Sequence, residues 1–176
     1  MLIRAVRDGD WESCLSIDLA YETDIAWQME ESQDAGGWHV SFREIRLPRT
    51  LHIQPPVPED GALKGWQNRD SFWVAVEQRG VVGYLGLDVD PARHHAQIVD
   101  LAVAPQFRRQ GVASALLDRA VEGCLRQRVQ QVVLVCPLRA YPALNFALKH
   151  RFAFCGFQDA YWPGQEVALF FRLRVR

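Results

Sequence analysis

Apolar and polar residues alternate at Ile3-Arg4-Ala5-Val6, the pattern of a short strand. Trp11, Cys14, Leu15, Asp18 and Leu19 then recur at helical spacing. They predict a helix over about 11–21, capped by Asp8 or Asp10. Ile25, Ala26, Trp27 and Met29 predict a second short helix within 24–31. Gly36-Gly37 opens a strand over 38–46, after which Pro48, Pro55, Pro56 and Pro58 break regular structure. Residues 34–70 are therefore expected as an irregular, proline-rich insertion. Such a segment is either a lid or binding arm, or passive packing.

The pattern sharpens from Ser71. Phe72–Glu77 and Val81–Leu87 are apolar runs around an Arg79-Gly80 turn, an antiparallel hairpin. Asp90-Pro91-Ala92-Arg93 turns the chain into a strand over 96–103. A helix over 111–126 follows, with Val112, Ala115, Leu116, Ala120 and Cys124 as its inner stripe. Gln131–Cys136 is rich in β-branched residues and reads as a buried strand. Pro142 suits the first turn of a helix running to His150, and two strands close the chain near 152–158 and 167–175. This order predicts one α/β domain spanning 1–176, a mixed central sheet of about six to seven strands flanked by helices.

The 176 residues are 49% hydrophobic and 23% charged, a composition that folds. Twenty basic and twenty-one acidic side chains give a net charge of −1, so no nucleic-acid partner is expected and any basic patch is local. No apolar run reaches the ~18–20 residues needed to cross a bilayer. Arg4, Arg7, Asp8 and Asp10 exclude a signal-peptide apolar region, so the expected location is cytoplasmic, with no membrane partner. Cys14, Cys124, Cys136 and Cys155 form no CxxC pair, and reduced, mostly buried thiols are expected rather than a metal site. His94-His95 belongs to a solvated turn.

The informative chemistry lies in Asp100-Leu101-Ala102-Val103-Ala104-Pro105-Gln106-Phe107-Arg108-Arg109-Gln110-Gly111-Val112-Ala113. A strand ends, a turn follows, and a helix opens on glycine. The unpaired amides of Arg109 to Ala113 can converge on an anion, aided by the helix dipole. Gly111 removes the Cβ that would block approach, Ala113 stays small, and Arg108 and Arg109 add charge for a phosphate.

This stretch resembles the GCN5-related N-acetyltransferase superfamily, whose signature Arg/Gln-x-x-Gly-x-Gly/Ala appears as Arg108-x-x-Gly111-x-Ala113. The resemblance covers roughly Phe72 to the C-terminus. It implies that Arg108, Arg109, Gln110, Gly111, Val112 and Ala113 hold the pyrophosphate of acetyl-CoA, the acyl donor. It also implies that Leu101, Ala102 and Val103 flank the pantetheine arm, and that the fourth and fifth strands of the sheet, 96–103 and 131–136, splay to admit the thioester. Tyr21-x-Thr23-Asp24-x-x-Trp27-Gln28-Met29 and Ala168-Leu169-Phe170-Phe171 look like the branch containing streptothricin acetyltransferases.

The family pattern Asn-x-x-Ala-x-x-x-Tyr-x-x-x-Gly-Phe is altered. In one register Ala140-Tyr141-Pro142-Ala143 takes the first place, Ala147 the tyrosine place and Arg151-Phe152 the last. In the other these are Asn145, Phe152 and Gly156-Phe157. The first leaves a short loop after Cys136 and is preferred. Either way the usual general acid is missing. A free alkyl amine titrates near ~10.4 and must lose its proton to attack, whereas the departing thiolate, with a conjugate acid near ~8.5, needs modest help. Asp100 is the preferred base, with Asp24, Glu30 and Glu31 as alternatives or plain surface charge. Tyr141, Tyr161 and Tyr84 are the substitute acids. Trp27 and Tyr84 are expected to contact the acceptor, and Trp38, Trp66 and Trp73 either line a pocket or fill the core. Cys136 has no His partner to make it a nucleophile. The expected activity is N-acyl transfer from acetyl-CoA to a small-molecule or protein amine in a ternary complex. The alternatives are a non-catalytic acyl-CoA-binding module and a protein-interaction domain that keeps only the fold. A homodimer is also expected.

Overall fold

The computed structural model describes residues 1–55, 65, 71–78, 80–162 and 164–175. Strand β1 (Leu2–Ala5) leads to the one-and-a-half-turn helix α1 (Trp11–Leu15). Strands β2 (Tyr21–Asp34) and β3 (Gly37–Ile53) form a separate two-stranded hairpin. Then come β4 (Ser71–Glu77), β5 (Gly80–Asp90), β6 (His95–Val103), helix α2 (Val112–Arg126), β7 (Gln131–Pro137), helix α3 (Tyr141–Lys149), β8 (Ala153–Trp162) and β9 (Glu166–Arg174). The seven-stranded sheet has the order β1-β4-β5-β6-β7-β9-β8, and β6–β7, joined through α2, is its parallel pair. The expected mixed α/β architecture is observed.

Two cores hold the sheet. On one side α2 buries Val112, Leu116, Leu117, Ala120 and Cys124 together with Leu85, Ile98, Val132 and Leu134. Each fully buried Leu or Val contributes about 1.5–3 kcal/mol. Gly123, outside the expected stripe, lets α2 close on Trp73, whose ring also lies 4.6 Å under the Arg119 guanidinium. Trp73 is thus a packing residue. The second core sits under α1 and joins Trp11, Cys14, Phe72, Val74, Tyr84 and Ala102.

The early chain departs from expectation. The helix expected over 11–21 stops at Leu15, because the carbonyls of Asp18 and Ala20 are drawn to Arg108. The short helix expected within 24–31 is strand instead. Ile25, Trp27 and Met29 also fit a period of two, and Phe42 opposite Met29 supplies the partner that selects it. The strand expected over 38–46 runs on to Ile53, so much of the expected irregular insertion is regular. Pro48 is tolerated because Leu47–Thr50 fall in a register break opposite Asp24, where no ladder amide is required. Asp34 caps the hairpin turn by accepting the Gly36 and Gly37 amides at 2.7 and 3.1 Å. Trp66 and the breaks expected at Pro56 and Pro58 lie outside the described residues.

Candidate functional site

Strand β6 changes partners halfway along. Its parallel pairing with β7 ends at Ile98–Leu134, while its antiparallel pairing with β5 continues to Val103. The change coincides with a bulge. Gly86 pairs with Asp100 and Leu87 with Ile98, so Val99 is the extra residue. Beyond it β6 and β7 part, and a gap opens between their C-terminal ends. The Ala104 amide donates to Val82 on the β5 side. By strand alternation Ala102 also faces β5, and Leu101 and Val103 turn their main-chain groups toward the gap.

The turn into α2 is built from strained backbone. Arg109 has φ 63° and Gly111 φ 87°, both left-handed. Among the described residues, the amides of Arg109, Gln110, Gly111, Val112, Ala113 and Ser114 have no backbone or side-chain acceptor. Helix bonding begins with Ala115 donating to the Gly111 carbonyl at 3.0 Å. A Cβ placed on Gly111 would meet nothing within 4 Å, so the space beside this glycine is open. The helix start also carries no acidic residue. This concave run of donors suits a diphosphate.

The neighbouring side chains divide by task. Arg108, expected to offer charge to a phosphate, spends its guanidinium elsewhere. Nε donates to the Val103 carbonyl (2.9 Å), and the two terminal nitrogens donate to Ala20 and Asp18 carbonyls (2.6 Å each). Its own amide donates to Pro105. Arg108 is therefore a clamp between the turn and the start of β2, and Arg109 is the arginine left for an anion. The Gln110 side chain donates to the Gln106 carbonyl, so Gln110 offers only its amide. Val112 is buried and does likewise. Gly83, unnoticed in the sequence, allows this seating. A Cβ there would come within 2.9 Å of the Ala102 carbonyl and 3.2 Å of Val112. A glycine inside an apolar strand was the available signal.

The start of β2 crosses the mouth of the gap. One end is held by Arg108 beside β6, and the other by the Trp27 amide donating to the Leu138 carbonyl, just past β7, at 2.9 Å. Trp27 is half-buried against the main core, at the border of the mouth. Tyr21, which in the sequence belongs only to the branch resemblance, lies on this crossing segment. Its hydroxyl makes a long, 3.5 Å contact to the Arg139 carbonyl. Burial first, then Glu166 and Cys136, push it up to about 12, so it keeps its proton at neutral pH.

The other candidates separate clearly. Tyr84, expected to touch the acceptor or act as acid, is 2% exposed and stacks on Phe72 at 5.5 Å in the α1 core, so it is a packing tyrosine. Tyr161 packs on Trp162 and Phe170 at the sheet edge. Trp38 is exposed beside the hairpin turn. Asp24 and Glu30 pair with Arg46 and Arg43 of their own hairpin. Asp100 is half-buried beside the bulge, and its charge adds to the burial that chiefly raises the Tyr84 phenol. Cys136 is fully buried and pushed up to about 12 by that burial, which removes it as a nucleophile. Among the described residues no three His, Cys, Asp or Glu side chains converge to hold a metal, and no helix is long and apolar enough to cross a membrane.

Helix α3 decides between the two registers. It begins at Tyr141 with Pro142 in its first turn and ends in a Schellman motif. Phe152 donates to the Ala147 carbonyl, Arg151 donates to Leu148, and Arg151 itself is left-handed at φ 59°. Arg151 thus stands where a glycine is preferred, followed by Phe152, as the first register requires. Ala147 is fully buried, so no acid stands one turn earlier. Tyr141 is half-buried at the head of the helix. At the tail, His150 Nε2 lies 2.9 Å from Ser114 Oγ, tying α3 to the open amides.

The model of the acetyltransferase (GNAT) family matches residues 21–154. Streptothricin acetyltransferase of Streptomyces lavendulae is 24% identical over 92% of this chain and 86% of its own. The L-amino acid N-acetyltransferase AaaT of Escherichia coli K12 is 28% identical over 78% of this chain and 96% of its own. A protein of Bacillus anthracis strain Ames, solved in complex with acetyl coenzyme A, superposes with a TM-score of 0.79. That alignment covers 99% of this chain and 97% of the other at 18% identity.

Proposed function

Because the chain belongs to the acetyltransferase (GNAT) family, which moves an acetyl group from acetyl-CoA to an amine, we propose that its open amides and parted strands are the donor site of that reaction. The observation that carries this reading is the run of amides from Arg109 to Ser114, left without acceptors, with open space beside Gly111. A diphosphate there leaves the pantetheine arm to run back along β6. It pairs with the gap-facing main chain of Leu101 and Val103, and the thioester reaches the bulge at Val99. Val103 has given its carbonyl to Arg108, so its amide and both groups of Leu101 remain for the ligand.

The acceptor enters at the mouth crossed by β2, with Trp27 on its border. Its nitrogen must be neutral, and Asp100 beside the bulge is the base that draws off the proton, directly or through water. The amine attacks the thioester carbon in a ternary complex. Positioning both reactants supplies much of the rate, since effective molarities for well-oriented groups reach ~10⁵–10⁸ M. Two curated relatives carry names that denote small-molecule amines, which supports a small-molecule acceptor over a protein one. Four free thiols, three of them buried, support a reducing compartment such as the cytoplasm. The edge strand β8, with Phe154 and Phe157 exposed, is the surface on which a homodimer would form.

Calorimetric titration with acetyl-CoA, followed by thiol release with a panel of small amines, tests the proposal. Saturable binding with amine-dependent release of CoA is the expected result. Binding without release from any amine would leave a non-catalytic module, and no binding would remove the donor site. Asp100→Asn is expected to lower kcat about 10²–10⁴-fold, the usual share of a general base.

A further inference from the structure

The crossing segment does more than roof the mouth. It carries a phenol to the β7 edge of that mouth. We propose that Tyr21 is the general acid of the transfer, protonating the departing CoA sulfur from the β2 side of the mouth. This rests on the donor-site reading above.

Three placements support it. Arg108 holds Asp18 and Ala20 against the end of β6, and Tyr21 is the next residue. The Trp27 amide holds the other end of the segment to Leu138, so the chain between them spans the gap. The Tyr21 hydroxyl contacts the Arg139 carbonyl in the loop between β7 and α3, so it stands at the β7 edge of the mouth. The residue is half-buried. The titratable groups around it are Cys136 on β7, itself buried and neutral, and Glu166 at the start of β9. Both oppose ionisation of the phenol, so it stays a proton donor across the working range. Tyr141, one of the substitute acids read from the sequence, starts α3, and its amide donates to the same Arg139 carbonyl at 2.9 Å. Position 147, six residues further along, is a buried alanine.

The step balances. The amine nitrogen bonds to the thioester carbon, the carbon–sulfur bond breaks, and its electron pair goes to sulfur. Sulfur takes the Tyr21 proton. The tyrosinate is then reprotonated, through water, by the proton the nitrogen sheds.

The test compares Tyr21→Phe with Tyr141→Phe and wild type. Tyr21→Phe is expected to lower kcat about 10²-fold, at the low end of general-acid effects because a thiolate leaves readily. The acetyl-CoA Kd should change less than twofold and the thermal midpoint should be retained. Tyr141→Phe should keep kcat. A purely structural role is separated by placing a fluorinated tyrosine at 21. Its more acidic hydroxyl should draw the high-pH fall of kcat to lower pH. Unchanged kcat in Tyr21→Phe, an unmoved pH profile in the fluorinated protein, or a kcat loss confined to Tyr141→Phe would each overturn the assignment. If wild type itself failed to bind acetyl-CoA, the donor-site reading would fall instead.

Discussion

Gly111→Ala isolates the donor site from the fold. Gly111 sits at φ 87°, ψ 1°, and an added methyl touches no protein atom within 4 Å. The cost to stability is therefore conformational, about 1–2 kcal/mol for a non-glycine residue in the left-handed region. In a domain of this size each kcal/mol moves the midpoint about 2–4 °C, so Tm should fall by roughly 2–8 °C. Binding should suffer far more, because the methyl stands where a phosphate must approach the amides. A hydrogen bond to a charged group is worth ~1.5–3 kcal/mol, so losing two costs ~3–6 kcal/mol. That weakens acetyl-CoA binding about 10²–10⁴-fold. Calorimetry and thermal melts on the same preparation read both quantities. Ligand should raise the wild-type midpoint by mass action and leave the variant's unmoved. Wild-type affinity in Gly111→Ala would refute the phosphate cradle. A midpoint drop well beyond this range would show that the glycine is needed for packing, contrary to the open space around it.

Arg151→Gly relieves a left-handed arginine in the Schellman motif of α3, and should stabilise the protein by about 1 kcal/mol in chemical denaturation. Arg108→Lys leaves the Val103, Ala20 and Asp18 carbonyls without the planar fork that serves all three. It should cost roughly 2–3 kcal/mol of stability and raise the acceptor KM more than the acetyl-CoA Kd, as steady-state kinetics would show. The Arg4 guanidinium, bonded to both Asp10 oxygens at 2.6 and 2.8 Å, holds that carboxyl below its ordinary 3.8. Its stabilisation is thus complete above that value and lost as pH falls through the lower, folded value. Arg4→Ala should flatten the acid limb of stability against pH, measured by thermal melts from pH 2 to 7.

The sequence by itself determined the segment from Ser71 onward. Its strands and helices have one strong period each, punctuated by glycine and proline, so local preference and tertiary need agree. It also determined the turn with open amides, because a glycine opening a helix after an apolar strand states its conformation locally. The hairpin was decided only in three dimensions. Ile25, Trp27 and Met29 fit two periods, and the facing strand around Phe42 selected one. Side-chain direction was likewise a tertiary matter. Arg108 and Arg109 are adjacent and equally charged, yet carbonyls about ninety residues away claim Arg108. The same holds for the tyrosines. Burial in the α1 core turned Tyr84 into packing, and a strap fastened at Arg108 and Leu138 carried Tyr21 to the mouth. Such choices depend on contacts between distant segments, which no local pattern of residues encodes.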